Sequence, residues 1–311
     1  MSNRTFIICE IGSNYNGSLE CALEYVSAAK AAGADAIKFQ TLRRDRLVAP
    51  RVQIKGEWVD NPVYRNFLNL ELPADWHFEL KRRADEVGIE FFSTPFYLEA
   101  VELLERVGVR TYKIASGDIT FFPLLKEVGR TGKRVILSTG ASDLADIERA
   151  LATLRAAGAT DIALLHCVSN YPPTWDEMNL RAIVSMKERF GLNVGISDHT
   201  PGDLVPLVSV ALGAKIVEKH VTFDRVQKGP DHPFAVTMLE FCEMVERVRT
   251  VELALGNGAK LPTPAESAKQ HRMRRGTYDP VSFKTSTAPD ALWLRPLGGP
   301  RDQPVARITG K

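Results

Sequence analysis

The sequence contains little that would direct the protein to a membrane, a nucleic acid or an oxidising compartment. Within its 311 residues, no apolar run approaches the roughly 20 residues that a membrane-spanning helix needs. The first residues lead into a strand without the pattern of a signal peptide. The 40 basic and 38 acidic residues nearly cancel, which gives no indication of a nucleic-acid or membrane partner. Four scattered cysteines form no Cys-x-x-Cys pair, so we expect a cytoplasmic protein with reduced thiols.

A glycine-rich G-x-G-x-x-G turn is also missing after the first predicted strand, which counts against a dinucleotide-binding sheet. The chain instead alternates regularly between two kinds of segment. Near-continuous apolar runs, typical of parallel strands buried on both faces, fall at residues 6–11, 36–40, 90–94, 111–115, 134–138, 162–167, 193–197 and 215–220. Helical patterns, several with a glycine stop signal, fall at residues 19–32, 74–87, 97–107, 122–131, 144–157, 176–190, 203–212 and 237–255.

Eight strand–helix units within about 250 residues predict a (β/α)8 TIM barrel, with the active site at the carboxyl ends of the strands. A doubly wound open sheet also fits the alternation. Residues 1–256 form the predicted catalytic barrel domain, and its long connection at residues 42–72 is a candidate for a segment that covers substrate. The proline-rich residues 257–311 predict a short, mostly irregular extension, either an extended arm or an incomplete small module.

Ionisable side chains concentrate at the predicted carboxyl ends of the strands. Lys38 and Lys113 lie inside apolar runs, where a lysine is costly to bury unless it is paired or faces an anion. The hydroxyls of Thr94, Ser116 and Ser197 would complete a phosphate or carboxylate site beside them. The alternative is that such polar residues only cap helices or satisfy loop amides. That alternative explains one or two hydroxyls, but not two lysines.

Two histidines follow neighbouring predicted strands at matching positions. His199 comes after the seventh strand and His220 ends the eighth, with one helix-length segment between them. Parallel strands joined in this way place both imidazoles at one rim, where a barrel leaves coordination positions open, so the pair predicts a catalytic divalent metal ion. The alternative for each is an ordinary core histidine bonded to a carbonyl. Asp231, after the Gly229-Pro230 turn, is either a turn carboxylate or a group that faces the rim.

Short motifs lie in order along the predicted barrel. They are EIGSNYNG at 10–17, KFQT at 38–41, STPF at 93–96, YKIASG at 112–117, LSTG at 137–140, HCVS at 166–169, SDHT at 197–200, EKH at 218–220 and GPD at 229–231. Any one of them is a weak signal. In register over residues 6–255, the set resembles the sialic acid synthase family, whose members make N-acetylneuraminate and related nonulosonic acids.

The resemblance implies a transferase that joins phosphoenolpyruvate to an acylated aminohexose such as N-acetylmannosamine and releases phosphate. It implies Mn²⁺ or Mg²⁺ as the cofactor, with His199 and His220 as ligands and catalytic residues, and Glu10 as the residue that orients substrate or moves a proton. The positions that match the phosphoenolpyruvate site are Lys38, Thr94, Lys113, Ser116, Ser169 and Ser197. The positions that match the sugar side are Gln40, Tyr171 and Asp231.

The sequence departs from the family pattern in two places. Tyr15 replaces the histidine of the family's N-H-N-G segment, so a sugar other than N-acetylmannosamine is an open alternative. Family members also carry a C-terminal antifreeze-like module, which covers the partner's barrel in a homodimer and supplies an arginine to the sugar. The segment from Arg274 to Gly299 resembles the start of that module. The resemblance therefore implies a truncated module at 257–311, a homodimer, and Arg295 as the candidate arginine.

Two other functions remain as alternatives. A related synthase of the 3-deoxy-octulosonate phosphate type would use a sugar phosphate and need a basic pocket for a second phosphate; the EIGSN and SDHT motifs count against it. A catalytically inactive sugar-binding homologue could keep the barrel, but it would have no chemical need for the lysines, the histidines and Asp231 together. Phosphate release from phosphoenolpyruvate with a panel of aldoses separates the three.

Overall fold

The computed structural model describes residues 4–297, apart from the side chain of Asn69. Its main feature is a closed barrel of parallel strands. The strands are β1 (Phe6–Gly12), β2 (Ala36–Thr41), β3 (Glu90–Pro95), β4 (Thr111–Ile114), β5 (Arg134–Ser138), β6 (Ile162–Cys167), β7 (Asn193–Asp198) and β8 (Ile216–Thr222). Each pairs with the next, and β8 pairs with β1, with Glu10 opposite His220. The predicted (β/α)8 TIM barrel is therefore confirmed.

A helix follows each barrel strand. The helices are α1 (Leu19–Ala31), α2 (Ala74–Val87), α3 (Leu98–Val107), α4 (Phe122–Arg130), α5 (Leu144–Ala156), α6 (Ala182–Phe190), α7 (Leu204–Ala211) and α8 (Met238–Leu255). Side chains fix several starts: Ser18 accepts a hydrogen bond from the first turn of α1, and Asp143 forms a capping box with Asp146 in α5. Among the described residues, no helix is both long and apolar enough to cross a membrane.

Helix α6 is shorter than the pattern at 176–190 predicts. The residues Trp175–Glu177 form a 3₁₀ turn, and the α-helix begins only at Ala182. Between them, Asn179 has a φ of 39°, which lies in the left-handed region and cannot be part of a right-handed helix. The prediction for residues 176–181 is therefore wrong, because one backbone conformation interrupts a sequence that otherwise reads as helical.

The barrel strands alternate between two buried layers, and this alternation positions the site. On β2, Phe39 packs outward among aromatic rings, 6.0 Å from Phe91 between ring centroids. Its neighbours Lys38 and Gln40 point the other way and line a cavity at the carboxyl end of the barrel. Strands buried on both faces thus carry apolar residues against the helices and polar residues at the inner rim.

The connection at residues 42–72 contains four short elements. They are a helix at Arg44–Leu47, a two-stranded antiparallel hairpin of Arg51–Ile54 and Glu57–Asp60, a helix at Pro62–Asn66 and a 3₁₀ turn at Phe67–Leu70. Leu42 and Leu72, at its two ends, are buried. The segment is therefore a built structure with fixed ends, and its inner side contributes to a cavity described below.

The chain divides into two compact units between Leu255 and Gly256. The second unit contains short helices at Pro264–Ser267 and Gln270–Met273 and an antiparallel pair of strands, Gly276–Tyr278 with Leu292–Leu294. The candidate Arg295 follows the last strand and is exposed. Part of the segment that resembles an antifreeze-like module, Gly298 and Gly299, lies outside the described residues. The interpretation of 257–311 as a truncated module stays a prediction.

Candidate active site

The carboxyl end of the barrel contains a cavity of about 70 Å³. Every barrel strand or the residue after it contributes to its lining. The lining residues are Glu10, Lys38, Gln40, Thr94, Phe96, Lys113, Ala115, Ser116, Ser138, Cys167, Tyr171, Ser197, His199, Glu218 and His220. Ten of the sequence-predicted site residues are in this set. Two others, Ser169 and Asp231, lie close by as described below, whereas Arg295 belongs to the second unit.

Two buried lysines face each other across this cavity. The Lys38 ammonium lies 2.7 Å from a Glu10 carboxylate oxygen and donates to Thr94 Oγ1 at 3.1 Å. The Lys113 ammonium donates to Ser138 Oγ at 2.6 Å. Burial opposes the charged form of both. The nearby Glu10 and Glu218 nevertheless raise the pKa of Lys38 above its usual value. At Lys113 burial prevails and lowers the pKa.

The Glu218 carboxylate lies between the lysines, and we did not predict it from the sequence. Its Oε1 atom is 3.8 Å from Lys38 Nζ and 3.6 Å from Lys113 Nζ, and it accepts a hydrogen bond from Ser197 Oγ at 3.1 Å. Burial alone would raise the pKa of Glu218, but the two ammonium groups hold it below its usual value. The period-2 alternation of a strand could have revealed it, because Glu218 and the predicted His220 are two residues apart and share a face.

A small hydroxyl-lined niche lies beside Lys113, against Gly140. The Gly140 amide donates to Ser116 Oγ at 2.9 Å. A Cβ atom at Gly140 would lie 2.2 Å from Ser169 Oγ and 2.8 Å from Ser116 Oγ, so only glycine leaves room for both hydroxyls. Ser169 is therefore close to the predicted phosphoenolpyruvate residues, although it is not itself part of the cavity lining.

The two predicted metal ligands lie side by side at the rim, with ring centroids 5.3 Å apart. His199 Nδ1 is 3.3 Å from the Val168 carbonyl. Burial, reinforced by the neighbouring His220, lowers the pKa of His199 to about 3, so the ring is neutral. Tyr171 and Phe234 cover the pair, with Tyr171 4.3 Å from His199 between ring centroids. The buried His220 Nδ1 has no hydrogen-bond partner among the described residues.

Asp231 reaches the rim from the loop after β8. Its Oδ2 atom accepts hydrogen bonds from the Ser13 amide at 3.2 Å and the Ser13 hydroxyl at 3.3 Å, and it lies 3.9 Å from His220 Nδ1. Gly12 makes this approach possible, because a Cβ atom there would lie 2.3 Å from Asp231 Oδ2. Of the two alternatives left open for Asp231, the position facing the rim is therefore the one in the structure.

A second cavity, of about 450 Å³, adjoins the first. Gln40 lines both, and its side-chain amide donates to Glu10 at 2.9 Å. The other lining residues are Ser13, Leu42, Val63, Asn66, Phe67, Leu70, Pro230 and Asp231. One wall is thus the connection at residues 42–72, and the other is the polar rim that carries Asp231. The rim therefore joins a small charged cavity to a larger, mostly apolar one.

Two other ionisable residues near strand ends face away from these cavities. Lys219, the middle residue of the EKH motif, is buried on the other face of β8, where it donates to Asp198 at 2.5 Å and to the Thr200 carbonyl. His166 bonds the Met178 carbonyl through Nε2 at 2.7 Å. Both sets of contacts are structural. Lys219 connects the ends of β7 and β8, and His166 connects β6 to the loop that follows it.

Comparison with known proteins identifies the family. A family model described as the NeuB family matches residues 25–260. The chain belongs to the NeuB family. It is 37% identical to the N,N'-diacetyllegionaminic acid synthase of Legionella pneumophila, over 98% of this chain and 89% of that protein. It is 32% identical to the human N-acetylneuraminate-9-phosphate synthase, over 98% of this chain and 88% of that protein.

A solved structure supports the same family. The N-acetylneuraminic acid synthetase from Leptospira borgpetersenii, in complex with citrate, matches with a TM-score of 0.78 and 34% identity, over 86% of this chain and 91% of that one. The family resemblance inferred from the motifs is confirmed. This NeuB-family chain is an enzyme of the class that forms carbon–carbon bonds by condensing phosphoenolpyruvate with a sugar.

Proposed function

We propose that this enzyme condenses phosphoenolpyruvate with an N-acylated aminohexose, giving a nonulosonic acid and phosphate. The observation that carries the proposal is the placement of two buried lysines and two buried histidines around one rim. Lys38 and Lys113 supply two buried hydrogen-bond donors for a phosphate and a carboxylate. The adjoining 450 Å³ cavity, with Asp231 on one side and apolar side chains on the other, suits a sugar that carries both hydroxyl and acyl groups.

The histidine pair fits a catalytic divalent ion. A hydrogen bond from His199 Nδ1 to the Val168 carbonyl leaves the lone pair on Nε2, which is how metal-binding histidines are commonly oriented. The buried His220 Nδ1 lacks a partner in the described part of the chain. Within residues 4–297, no three His, Cys, Asp or Glu side chains are grouped as metal ligands. Two imidazoles with otherwise open positions suit a catalytic ion such as Mn²⁺ or Mg²⁺.

In the proposed reaction, carbon 3 of phosphoenolpyruvate attacks the aldehyde carbon of the open-chain sugar. Water adds to carbon 2, and the bond from carbon 2 to the phosphate oxygen breaks. Lys38 and Lys113 hold the phosphate while negative charge builds on it. Glu10, fixed by Lys38 and Gln40, is positioned to orient substrate or accept a proton from the water. A bound divalent ion would polarise the sugar aldehyde.

Phosphate release tests this proposal. Enzyme, phosphoenolpyruvate and Mn²⁺ are incubated with N-acetylmannosamine, diacetamido-hexoses and aldose phosphates, and both phosphate and the coupled product are measured. We expect release only with an N-acylated hexose, together with a product that contains the carbons of both substrates. Preferential use of an aldose phosphate would favour the sugar-phosphate alternative. No release with any sugar, from a folded protein that binds Mn²⁺, would favour the sugar-binding alternative.

Replacing His199 with alanine tests the metal assignment separately. The His199→Ala variant should lose Mn²⁺ binding in calorimetry and at least about 100-fold of its activity, because Lewis-acid stabilisation of this kind contributes several kcal/mol. His166→Ala is the matched control, since His166 also lies at a strand end but bonds the Met178 carbonyl. The control should keep its Mn²⁺ affinity. Full activity in His199→Ala contradicts the assignment.

A further inference from the structure

Tyr15 stands where the family motif has a histidine, yet it does not line either cavity in the candidate site. Its side chain is buried, with 1% of its surface exposed. The ring packs between Phe39 of β2 and Trp76 of α2, at 6.1 and 6.2 Å between centroids. The residue therefore lies behind the wall of the sugar-side cavity and not in it.

The polar end of Tyr15 makes one hydrogen bond. Its hydroxyl donates to the Leu70 carbonyl at 3.1 Å. Burial first, and then the nearby Glu71 carboxylate, raise the pKa of Tyr15 above its usual value, so the phenol keeps its proton and remains a donor. Leu70 is the last residue of the 3₁₀ turn Phe67–Leu70. The phenol thus joins the loop after β1 to the end of that turn.

The turn itself forms much of the apolar wall. Val63, Phe67 and Leu70 line the 450 Å³ cavity opposite Asp231. The other hydrogen bonds described for residues 61–70 stay within the connection, as those from Asn61 to Pro50 and Ala49 do. In the described part of the chain, the bond from Tyr15 is the one that fastens this stretch to the barrel.

We propose that Tyr15 is a positioning residue for the sugar half of the site, fastening the wall formed by residues 61–70 at a fixed distance from Asp231. This inference rests on the proposed function of the cavity. It assigns Tyr15 no contact with either substrate. The residues proposed to bind phosphoenolpyruvate lie on barrel strands or in the loops that follow β4 and β6. None of them belongs to the connection at residues 42–72, so loss of the anchor acts on one substrate and spares the other.

The test is a comparison of two buried tyrosines that each lose one hydroxyl. Tyr15→Phe keeps the ring between Phe39 and Trp76 and removes the bond to Leu70. Tyr112→Phe is the matched control, because its hydroxyl donates to Glu105 at 2.6 Å and lies near the Val101 carbonyl, on the helix side of β4. Steady-state kinetics gives KM for each substrate and kcat. Hydrogen exchange reports the opening of residues 62–72 without requiring activity.

For Tyr15→Phe we expect the sugar KM to rise about three- to tenfold, the range for losing one such hydrogen bond, with kcat and the phosphoenolpyruvate KM within about twofold of the wild-type values. Amide exchange in residues 62–72 should accelerate by a similar factor. Tyr112→Phe should change neither KM nor exchange in that segment. Unchanged exchange in Tyr15→Phe overturns the proposal, as does an equal rise of both KM values. If the wild type releases no phosphate with any sugar, the proposed function fails, and the exchange measurement alone decides whether Tyr15 is the anchor.

Discussion

Buried charge in the active site is balanced among a few side chains. Lys38 and Lys113 are offset by Glu10 and Glu218, at distances between 2.7 and 3.8 Å. This pairing keeps the lysines from being buried without partners, which would be strongly destabilising. In the proposed reaction, an incoming phosphate must share the lysines with Glu218. The affinity of the pocket for an anion is therefore set by the carboxylate as well as by the lysines.

His77 gives a prediction at the residue scale that does not involve the active site. It is buried in α2, with Nε2 2.8 Å from Thr41 Oγ1 and Nδ1 3.0 Å from the Pro73 carbonyl. Burial lowers its pKa to about 4, from an ordinary value of about 6.5. Between these values the unfolded chain binds more protons than the folded one, so stability is complete above pH 6.5 and falls as the pH falls towards 4.

Between pH 7.5 and pH 5, His77 should lower the free energy of unfolding by about 2 kcal/mol. Urea unfolding of the wild type and of His77→Gln at both pH values measures it. At pH 7.5 the variant should be less stable than the wild type. On acidification to pH 5, its free energy of unfolding should fall by about 2 kcal/mol less than that of the wild type. An identical pH dependence in the two proteins would show that His77 is not the group responsible.

Single residues also show how far the sequence could predict the site. Lys38, Lys113 and the two histidines were predictable, because a charged group inside an apolar run needs a chemical reason. Glu218 lies in the same apolar run as His220, and only the period-2 alternation of the strand distinguishes its face from that of Lys219. The role of Tyr15 could not be predicted, since its partner Leu70 is 55 residues away and lies in a connection without periodicity.

At the scale of elements, the end of β1 shows how a strand irregularity shapes the site. The pairing of β1 with β2 shifts register between Glu10 and Gly12, and Gly12 has a φ of 55°. Such a bulge re-aims the chain at a strand end. Glu10 therefore points into the charged cavity, while the next residues turn to receive Asp231. The apolar run predicts the strand. It does not predict the bulge, because the bulge depends on contacts with β2 and with the loop after β8.

Two glycine substitutions separate backbone strain from crowding at this bulge. Gly12→Ala and Gly17→Ala both place a Cβ in the left-handed region, at φ values of 55° and 68°, which costs each variant about 1–2 kcal/mol of stability. Gly17 has open space around it, whereas a Cβ at Gly12 meets Asp231. Thermal unfolding should therefore show a loss of stability for both, and a larger loss for Gly12→Ala, because its added methyl group also displaces Asp231.

The kinetics of the two variants should differ. Displacing Asp231 removes a charged hydrogen-bonding group from the sugar side, worth about 1.5–3 kcal/mol, so the sugar KM of Gly12→Ala should rise at least about tenfold. Gly17→Ala should keep the wild-type sugar KM. An equal KM in both variants would mean that Asp231 does not contribute to sugar binding, or that it keeps its place despite the added methyl group.

At the scale of the whole molecule, the barrel links substrate binding to stability. The residues proposed to bind phosphoenolpyruvate come from strands around the barrel and from the loops after them, so a ligand that bridges them would stabilise the folded barrel over the unfolded chain. At about 100 times its dissociation constant, phosphoenolpyruvate should add about 2.7 kcal/mol, or roughly 5–10 °C in Tm for a domain of this size. Lys113→Met should abolish the shift. Lys126→Met, on the exposed face of α4, should retain it, and a shift that survives in Lys113→Met contradicts the assignment of that lysine.

Barrel closure has a consequence for the protein during its synthesis. In the finished barrel, Glu10 of β1 lies opposite His220 of β8, so the first strand depends on the last one to be made. At ribosomal rates, the interval between emergence of the two strands is roughly 10–40 s. Throughout that interval β1, a nearly apolar strand, has one edge without its neighbour and is open to wrong pairing. The nascent chain therefore carries the aggregation risk of an open sheet until residue 222 has left the ribosome. Pairing of β8 with β1 then closes the barrel, which ends that risk and assembles the candidate active site in one step.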